Sequence, residues 1–209
     1  MSSPPSAASS PESPGIIIRR AAPRDAGAIA AVRIDGWRTS YRGLIPAAYL
    51  DGMQVDASTA QWDKVLTAAP NSASVFVASH AGEVVGFAAG SMLGEPKFGL
   101  DSELTAVYLR REFQRVGIGR RLIAAVVAAQ RVQGATGMIV WVIAANKPAR
   151  ALYEALGAEL LVEQAFQWDG MDLLEAAYGW RDLEALFAAC RTGVAAPETD
   201  LQERDRRAG

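Results

Sequence analysis

The sequence predicts one α/β domain built on a mixed sheet with helices on both faces. Three observations carry that reading. β-rich runs come in adjacent pairs early in the chain. Strand and helix patterns alternate later. Residues 138–143 form a near-continuous apolar run of the kind buried on both faces. A length of 209 residues suits one such domain with a full core and short tails.

Ile16 to Arg19 is a short β-branched run and reads as the first strand. Pro23 opens a helix that sets Ile29, Val32 and Ile34 on or near one face, and Gly36 is expected to end it. Residues 37–46 have no clean period and read as a loop. Short helices follow from Pro46 towards Leu50 and over 55–68. Runs 74–79 and 83–91 form a hairpin around His80, Ala81 and Gly82. Residues 94–99 are turn-rich, and 103–110 is the next strand. A helix over 117–132 buries a stripe of Leu122, Ile123, Val126 and Val127. After the strand at 138–143, Asn146 caps a helix that Gly157 stops. Strands at 159–168 and 171–180 end the sheet, and a last helix spans 182–189. Residues 1–15, mostly Ser, Pro and Ala, read as a disordered leader, and 191–209 as a flexible tail. The folded domain is therefore expected over 16–190.

The formal net charge of −2 gives no global field towards nucleic acid or an anionic membrane, so neither is expected as a partner. Cys190 is the single cysteine, which excludes an intrachain disulfide. With no signal-peptide pattern and no spanning apolar run, the expected compartment is the cytoplasm. No His/Cys/Asp cluster has metal-ligand spacing, so no metal is expected.

An anion site must then be local, and one candidate stands out. Gln114, Arg115, Val116, Gly117, Ile118, Gly119 and Arg120 lie between a strand and a long helix, among the arginines 110, 111, 115, 120 and 121. Two glycines let backbone approach a ligand, and helix N-terminal N–H groups can hold phosphate. Arginine suits phosphate oxygens through paired hydrogen bonds. Arg120-Arg121 stands where a P-loop needs Lys-Ser/Thr, and Leu122 stands where a Rossmann turn needs a small residue. The same glycines also suit a plain strand-to-helix turn with solvated arginines.

A second segment holds Asn146, Ala149, Tyr153 and Gly157. Together the two segments resemble the GNAT superfamily of N-acetyltransferases, over about 16–180. Its loop pattern Gln/Arg-x-x-Gly-x-Gly/Ala is met by Gln114, Gly117 and Gly119. Its later pattern Asn-x-x-Ala-x-x-x-Tyr-x-x-x-Gly is met by Asn146, Ala149, Tyr153 and Gly157. Arg111 departs from the family's frequent Pro, and Ala158 from its frequent aromatic residue.

The resemblance implies the GNAT fold, a splayed, mostly antiparallel sheet flanked by helices. It implies acetyl-CoA as cosubstrate and transfer to a primary amine, on a small molecule or a peptide, by direct attack. Val107 and Leu109 would pair with the pantetheine arm, and residues 114–120, with Asn146, would hold the rest of the coenzyme. Glu103 would be the base, expected on one strand face with Thr105 and Val107. Tyr153 would be the acid. Trp37, Tyr41 and Arg42, with Arg38, would border the acceptor. Glu103 also suits a solvated strand end, Tyr153 a core face, and Trp37 and Tyr41 plain packing. A homodimer through the late strands is compatible with the resemblance. Two rivals stand beside the enzyme: a non-catalytic acyl-CoA-binding module and a nucleotide-binding protein.

Overall fold

The computed structural model describes residues 15–68 and 73–192. Of the expected leader and tail, residues 1–14 and 193–209 lie outside them. The described chain runs β1 (Ile17–Arg20), α1 (Ala26–Ser40), α2 (Ala47–Gly52), α3 (Val55–Thr67), β2 (Ser74–His80), β3 (Glu83–Lys97) and β4 (Leu100–Leu109). It continues through α4 (Ile118–Val132), β5 (Met138–Ile143), α5 (Lys147–Ala155), β6 (Glu159–Trp168), β7 (Met171–Trp180) and α6 (Leu183–Arg191). No described helix is long and apolar enough to cross a membrane.

The seven strands lie in the order β1-β2-β3-β4-β5-β7-β6. All neighbours are antiparallel except β4 and β5. Three hairpins turn on residue pairs with positive φ: Ala81–Gly82, Phe98–Gly99 and Asp169–Gly170. Two such residues give a turn whose twist matches the strands it joins. The second turn corrects the reading of 94–99. Only Phe98 and Gly99 turn, and β3 continues to Lys97, which faces Leu100. Gly94 and Pro96 lie in the exposed far end of β3, where a missing N–H is tolerated.

α1 corrects a second expectation. It does not stop at Gly36 but runs on to Ser40, so Trp37 and Arg38 are helical. A Cβ at Gly36 would stand 2.6 Å from the Tyr108 ring. Glycine here is a notch that seats α1 on β4, and no terminator.

The sheet is covered on both faces. α4 and α6 pack Leu122, Ile123, Val126 and Leu186 against Val85, Ala88 and Leu104. On the other side Ile29 and Val32 of α1 meet Val77 and Phe87. Both sets are almost fully buried, and each large side chain contributes roughly 1.5–3 kcal/mol by leaving water.

β4 and β5 are parallel, and they pair only at Ser102 with Met138 and Glu103 with Ile139. The closed end is clasped by Asp101. Its carboxylate accepts from Thr136 N (3.0 Å), Gly137 N (3.1 Å) and Thr136 Oγ1 (2.8 Å). Ser102 Oγ donates to Gly137 O at 2.7 Å. Beyond Glu103 the strands part, giving the splayed sheet expected from the family patterns.

The notch predicts a stability change opposite to helix propensity. Gly36→Ala will lower the urea midpoint by the equivalent of about 1–3 kcal/mol, although Ala is the better helix former. Gly52→Ala, with nothing within 4 Å of the added Cβ, will stay within about 0.5 kcal/mol of the parent.

Candidate active site

The strand-to-helix loop is set by two left-handed residues, Arg115 (φ 65°) and Gly117 (φ 84°). Gly117 is the N-cap of α4 and offers no side-chain cap. Arg121 N is the first to bond back into the helix, to Gly117 O at 3.2 Å. The N–H groups of Ile118, Gly119 and Arg120 are therefore left over at the positive end of a 15-residue helix. The Ile118 side chain is core, and Val116 packs against that core.

The arginine cluster does not converge as expected. Arg120 donates to Ala189 O at 3.1 Å, and Arg121 to Ile16 O at 2.9 Å. Both guanidiniums fasten neighbouring segments, so Arg120 offers the loop its backbone N–H. Arg115 is exposed beside that N-terminus.

The open edge of β4 follows from its hydrogen bonding. Arg110 N bonds to Val85 O, so Arg110 faces β3. Backbone groups alternate along a strand, so Leu109 and Val107 face the gap. Gln114 Nε2 closes over that edge, donating to Leu109 O at 2.9 Å.

Glu103 stands at the fork itself and lines a cavity together with Thr105, as expected, but Val107 leaves that face. Gly90 opposes Leu104 while Ala89 opposes Ala106, so Thr105 is an extra residue, a β-bulge that flips the alternation after it. Val107 and Leu109 pack against the α4 core. Glu103 and Thr105 share their cavity with Ala106 and Tyr108. Burial raises its carboxyl above the ordinary glutamate range, the nearby Lys97 works against this, and Glu175 adds to it.

That cavity encloses about 350 Å³ on the α1 face of the fork. Trp37, Tyr41, Tyr108, Trp141 and Trp168 wall it, with Arg33 and Glu175. Trp37 meets Tyr41 at 4.9 Å and Trp168 at 5.7 Å between ring centroids. Trp168, from the tip of the β6–β7 hairpin, donates to Tyr49 Oη at 2.8 Å and so holds that hairpin against α2. Arg42 is exposed and is not part of the wall. Arg38 is spent on the end of α2, donating to Leu50 O at 3.0 Å and Met53 O at 3.3 Å. Sequence reasoning missed Arg33, Trp141, Trp168 and Glu175. The pairing of Ile143 with Glu175 and the hairpin's reach bring them together, and neither has a local signal.

Asn146 links the two sides. Its Oδ1 accepts from Ala149 N at 3.2 Å, capping α5, which turns Nδ2 towards Tyr41 Oη at 3.3 Å. Tyr153 lies on α5 in the main core, with its ring 5.8 Å from Trp180 and 6.2 Å from Tyr178. Burial holds its phenol well above the ordinary range, and Tyr41 adds to this. α5 is itself fixed by Arg150, which donates to Tyr178 Oη (2.9 Å) and pairs with Glu163 (2.7 Å).

Comparison with known proteins agrees with this geometry. A family model described as acetyltransferase (GNAT) family matches residues 34–158. The uncharacterized N-acetyltransferase YuaI of Bacillus subtilis (strain 168) is 36% identical over 172 residues, 82% of this chain and 96% of that protein. Two solved structures share the fold. One is the PaiA N-acetyltransferase of Thermoplasma acidophilum in complex with coenzyme A (TM-score 0.59, 16% identity, 78% and 98% of the two chains). The other is YncA of Salmonella typhimurium with its cofactor acetyl-CoA (TM-score 0.60, 20% identity, 80% and 94%).

Glu103 has a consequence for stability. A carboxyl raised in the folded state binds its proton more tightly there than in the unfolded chain. Its favourable contribution is complete below the ordinary glutamate pKa and is lost as pH rises through the raised value. Glu103→Gln will therefore unfold at a higher temperature than the parent at pH 7, and the gap will shrink towards pH 4. A gap constant across that range would show that the Glu103 carboxyl carries no such penalty.

Proposed function

The chain belongs to the acetyltransferase (GNAT) family, and we propose that it transfers an acetyl group from acetyl-CoA to a primary amine by direct attack. The observation that carries this is the fork. Val107 and Leu109 present backbone groups to a gap whose far end meets the bare N-terminus of α4. Buried backbone groups need partners, and an amide-bearing arm ending in a pyrophosphate satisfies both places. Bound acetyl-CoA supplies a thioester whose carbonyl carbon accepts the amine.

The residues then divide the work. The N–H groups of Ile118, Gly119 and Arg120, with the backbone of Gln114 to Gly117 and the Arg115 side chain, hold the pyrophosphate. Val107 and Leu109 align the arm, and an N–H there steadies the charge that grows on the carbonyl oxygen. Glu103 takes the ammonium proton, and the burial that raises its carboxyl makes it a stronger base than an exposed glutamate. Tyr153 stays protonated at physiological pH; it passes its proton to the departing sulfur and takes back the second proton that the nitrogen sheds on becoming an amide, since burial disfavours its phenolate. Asn146 fixes α5 and the Tyr41 hydroxyl, and Trp37 with Tyr41 borders the amine. A module that merely held acyl-CoA would need no acceptor space. The cavity beside Glu103 favours the enzyme. Such a donor suits a cytoplasmic setting. The Cys190 thiol, pushed up to about 11 by burial, takes no part.

Acetyl-CoA with an amine panel should release free thiol. Gly117→Glu should abolish acetyl-CoA binding in a calorimetric titration while Gly117→Ala, equally strained at φ 84°, keeps part of it, because only the first adds a negative charge. Tight acetyl-CoA binding without turnover on a broad panel would sink the transfer reading. Glu103→Gln should cut kcat/KM by about a hundredfold or more and erase the ascending limb of the pH profile, and Tyr153→Phe should cut kcat by about tenfold or more.

A further inference from the structure

The acceptor cavity carries charges of both signs in its wall, and they do not neutralise each other. Glu103 and Glu175 supply two carboxylates, and Arg33, from the middle of α1, supplies a guanidinium. Among the described residues the ion pairs are Arg19–Asp25, Arg131–Glu184, Arg150–Glu163 and Arg181–Glu159. Arg33 belongs to none of them. Arg19, Arg38, Arg120, Arg121 and Arg150 are each committed by hydrogen bonds to neighbouring segments. Arg33 instead lies over the Trp37 ring, 5.2 Å from its centroid. Its charge acts on the Tyr41 and Tyr108 hydroxyls, whereas the charges acting on Glu103 are those of Lys97 and Glu175. Cation and carboxylates thus hold different parts of the wall.

A guanidinium over an aromatic face spends no N–H on that contact, and its free N–H edge matches a planar oxyanion with two hydrogen bonds. A half-buried cation without a counter-ion is costly to keep, so a ligand that brings the counter-ion gains from it. The remaining wall is broad and aromatic: Trp37, Trp141, Phe166 and Trp168. At about 350 Å³ the space is at the small end of ligand sites, sized for one compact molecule.

We propose that the acceptor is a free amino acid with an aromatic or similarly broad side chain, its carboxylate docked on Arg33, its amine turned to Glu103 and its side chain among the tryptophans. This rests on the acetyl-transfer reading above and specifies its acceptor. The nitrogen–carbon bond forms as the carbon–sulfur bond of the thioester breaks. The ammonium's first proton goes to Glu103, Tyr153 protonates the sulfur, which leaves as the thiol of free CoA, and the second proton lost by the nitrogen restores Tyr153.

The test is CoA release from acetyl-CoA with L-phenylalanine, L-phenylalaninamide and 2-phenylethylamine, and with L-tryptophan against tryptamine. The two amino acids should exceed their carboxylate-free counterparts in kcat/KM by about tenfold or more, the worth of a charge-assisted pair. In Arg33→Met that ratio should fall to near one, chiefly through KM, and Arg33→Lys should restore part of it. A structural role for Arg33 would lower all substrates together and leave the ratio standing, which overturns the proposal. Equal or faster turnover of the carboxylate-free amines by the parent overturns it too. Turnover confined to other amines of a broad panel removes this acceptor class and leaves acetyl transfer intact. Acetyl-CoA binding with no thiol release from any amine removes both.

Discussion

β4 and β5 are fastened at one end only, and the rest of the site depends on that. The fastening is dense. One carboxylate, Asp101, takes hydrogen bonds from Thr136 and Gly137, and Ser102 doubles the contact to Gly137. Burial of Asp101 works against its ionisation, but the hydrogen bonds from Gly137 and Thr136 outweigh it, and its carboxyl lies below the ordinary range. Beneath the clasp, Leu100 fills the space that side chains at Gly137 and Gly179 would need, at 2.6 and 2.7 Å from where their Cβ atoms would stand. A parallel pair so tightly closed at one end and open beyond two residue pairs is a wedge. An extended ligand can enter it and find strand edge instead of side chain.

The bulge at Thr105 completes the wedge. It lets β4 carry two kinds of function on consecutive turns of its pleat. Before it, Glu103 faces the acceptor cavity. After it, Tyr108 faces the same cavity, while Val107 and Leu109 lie against α4 and turn their backbone groups to the gap. Gly90 makes this possible, since a Cβ there would meet Glu103 O at 2.8 Å and Val126 at 2.6 Å. Tyr108 in turn rests where Gly36 lacks a Cβ. Two absent methyl groups thus set the distance between α1, β4 and α4, and with it the width of both the donor gap and the acceptor cavity.

This division explains what could be read in the sequence. The elements of the proposed donor side were legible because they are set by backbone geometry. A glycine pair before a helix, an N-capping Asn146 and a stop at Gly157 state their geometry locally, and strands 138–143, 159–168 and 171–180 appear with the boundaries expected. Gly36 misled for the same reason in reverse. A glycine reads as a helix end unless the ring of Tyr108, seventy-two positions on, is known to need its place. The face of Val107 was misread because a bulge adds one residue to a period-two pattern and leaves no mark in composition.

The acceptor side has no such local grammar. Its wall draws Arg33 and Trp37 from α1, Glu103 from β4, Trp141 from β5, Trp168 from β6 and Glu175 from β7, one helix and four strands whose order in the sheet is not their order in the chain. β6 is an edge strand, and its tip is held to α2 by the single bond from Trp168 to Tyr49. The donor half is therefore built from groups every sequence possesses, on the best-supported strands. The cavity is built from side chains, some of them on the hairpin that carries the sheet's edge strand. Substitutions at Arg33, Trp141, Trp168 or Glu175 can reshape the cavity without touching Asp101, Thr105 or Gly117, so the scaffold can keep its fork while the cavity changes. That separation is also why the donor can be proposed from a motif, while the acceptor has to be argued from the charges that remain unpaired in the wall.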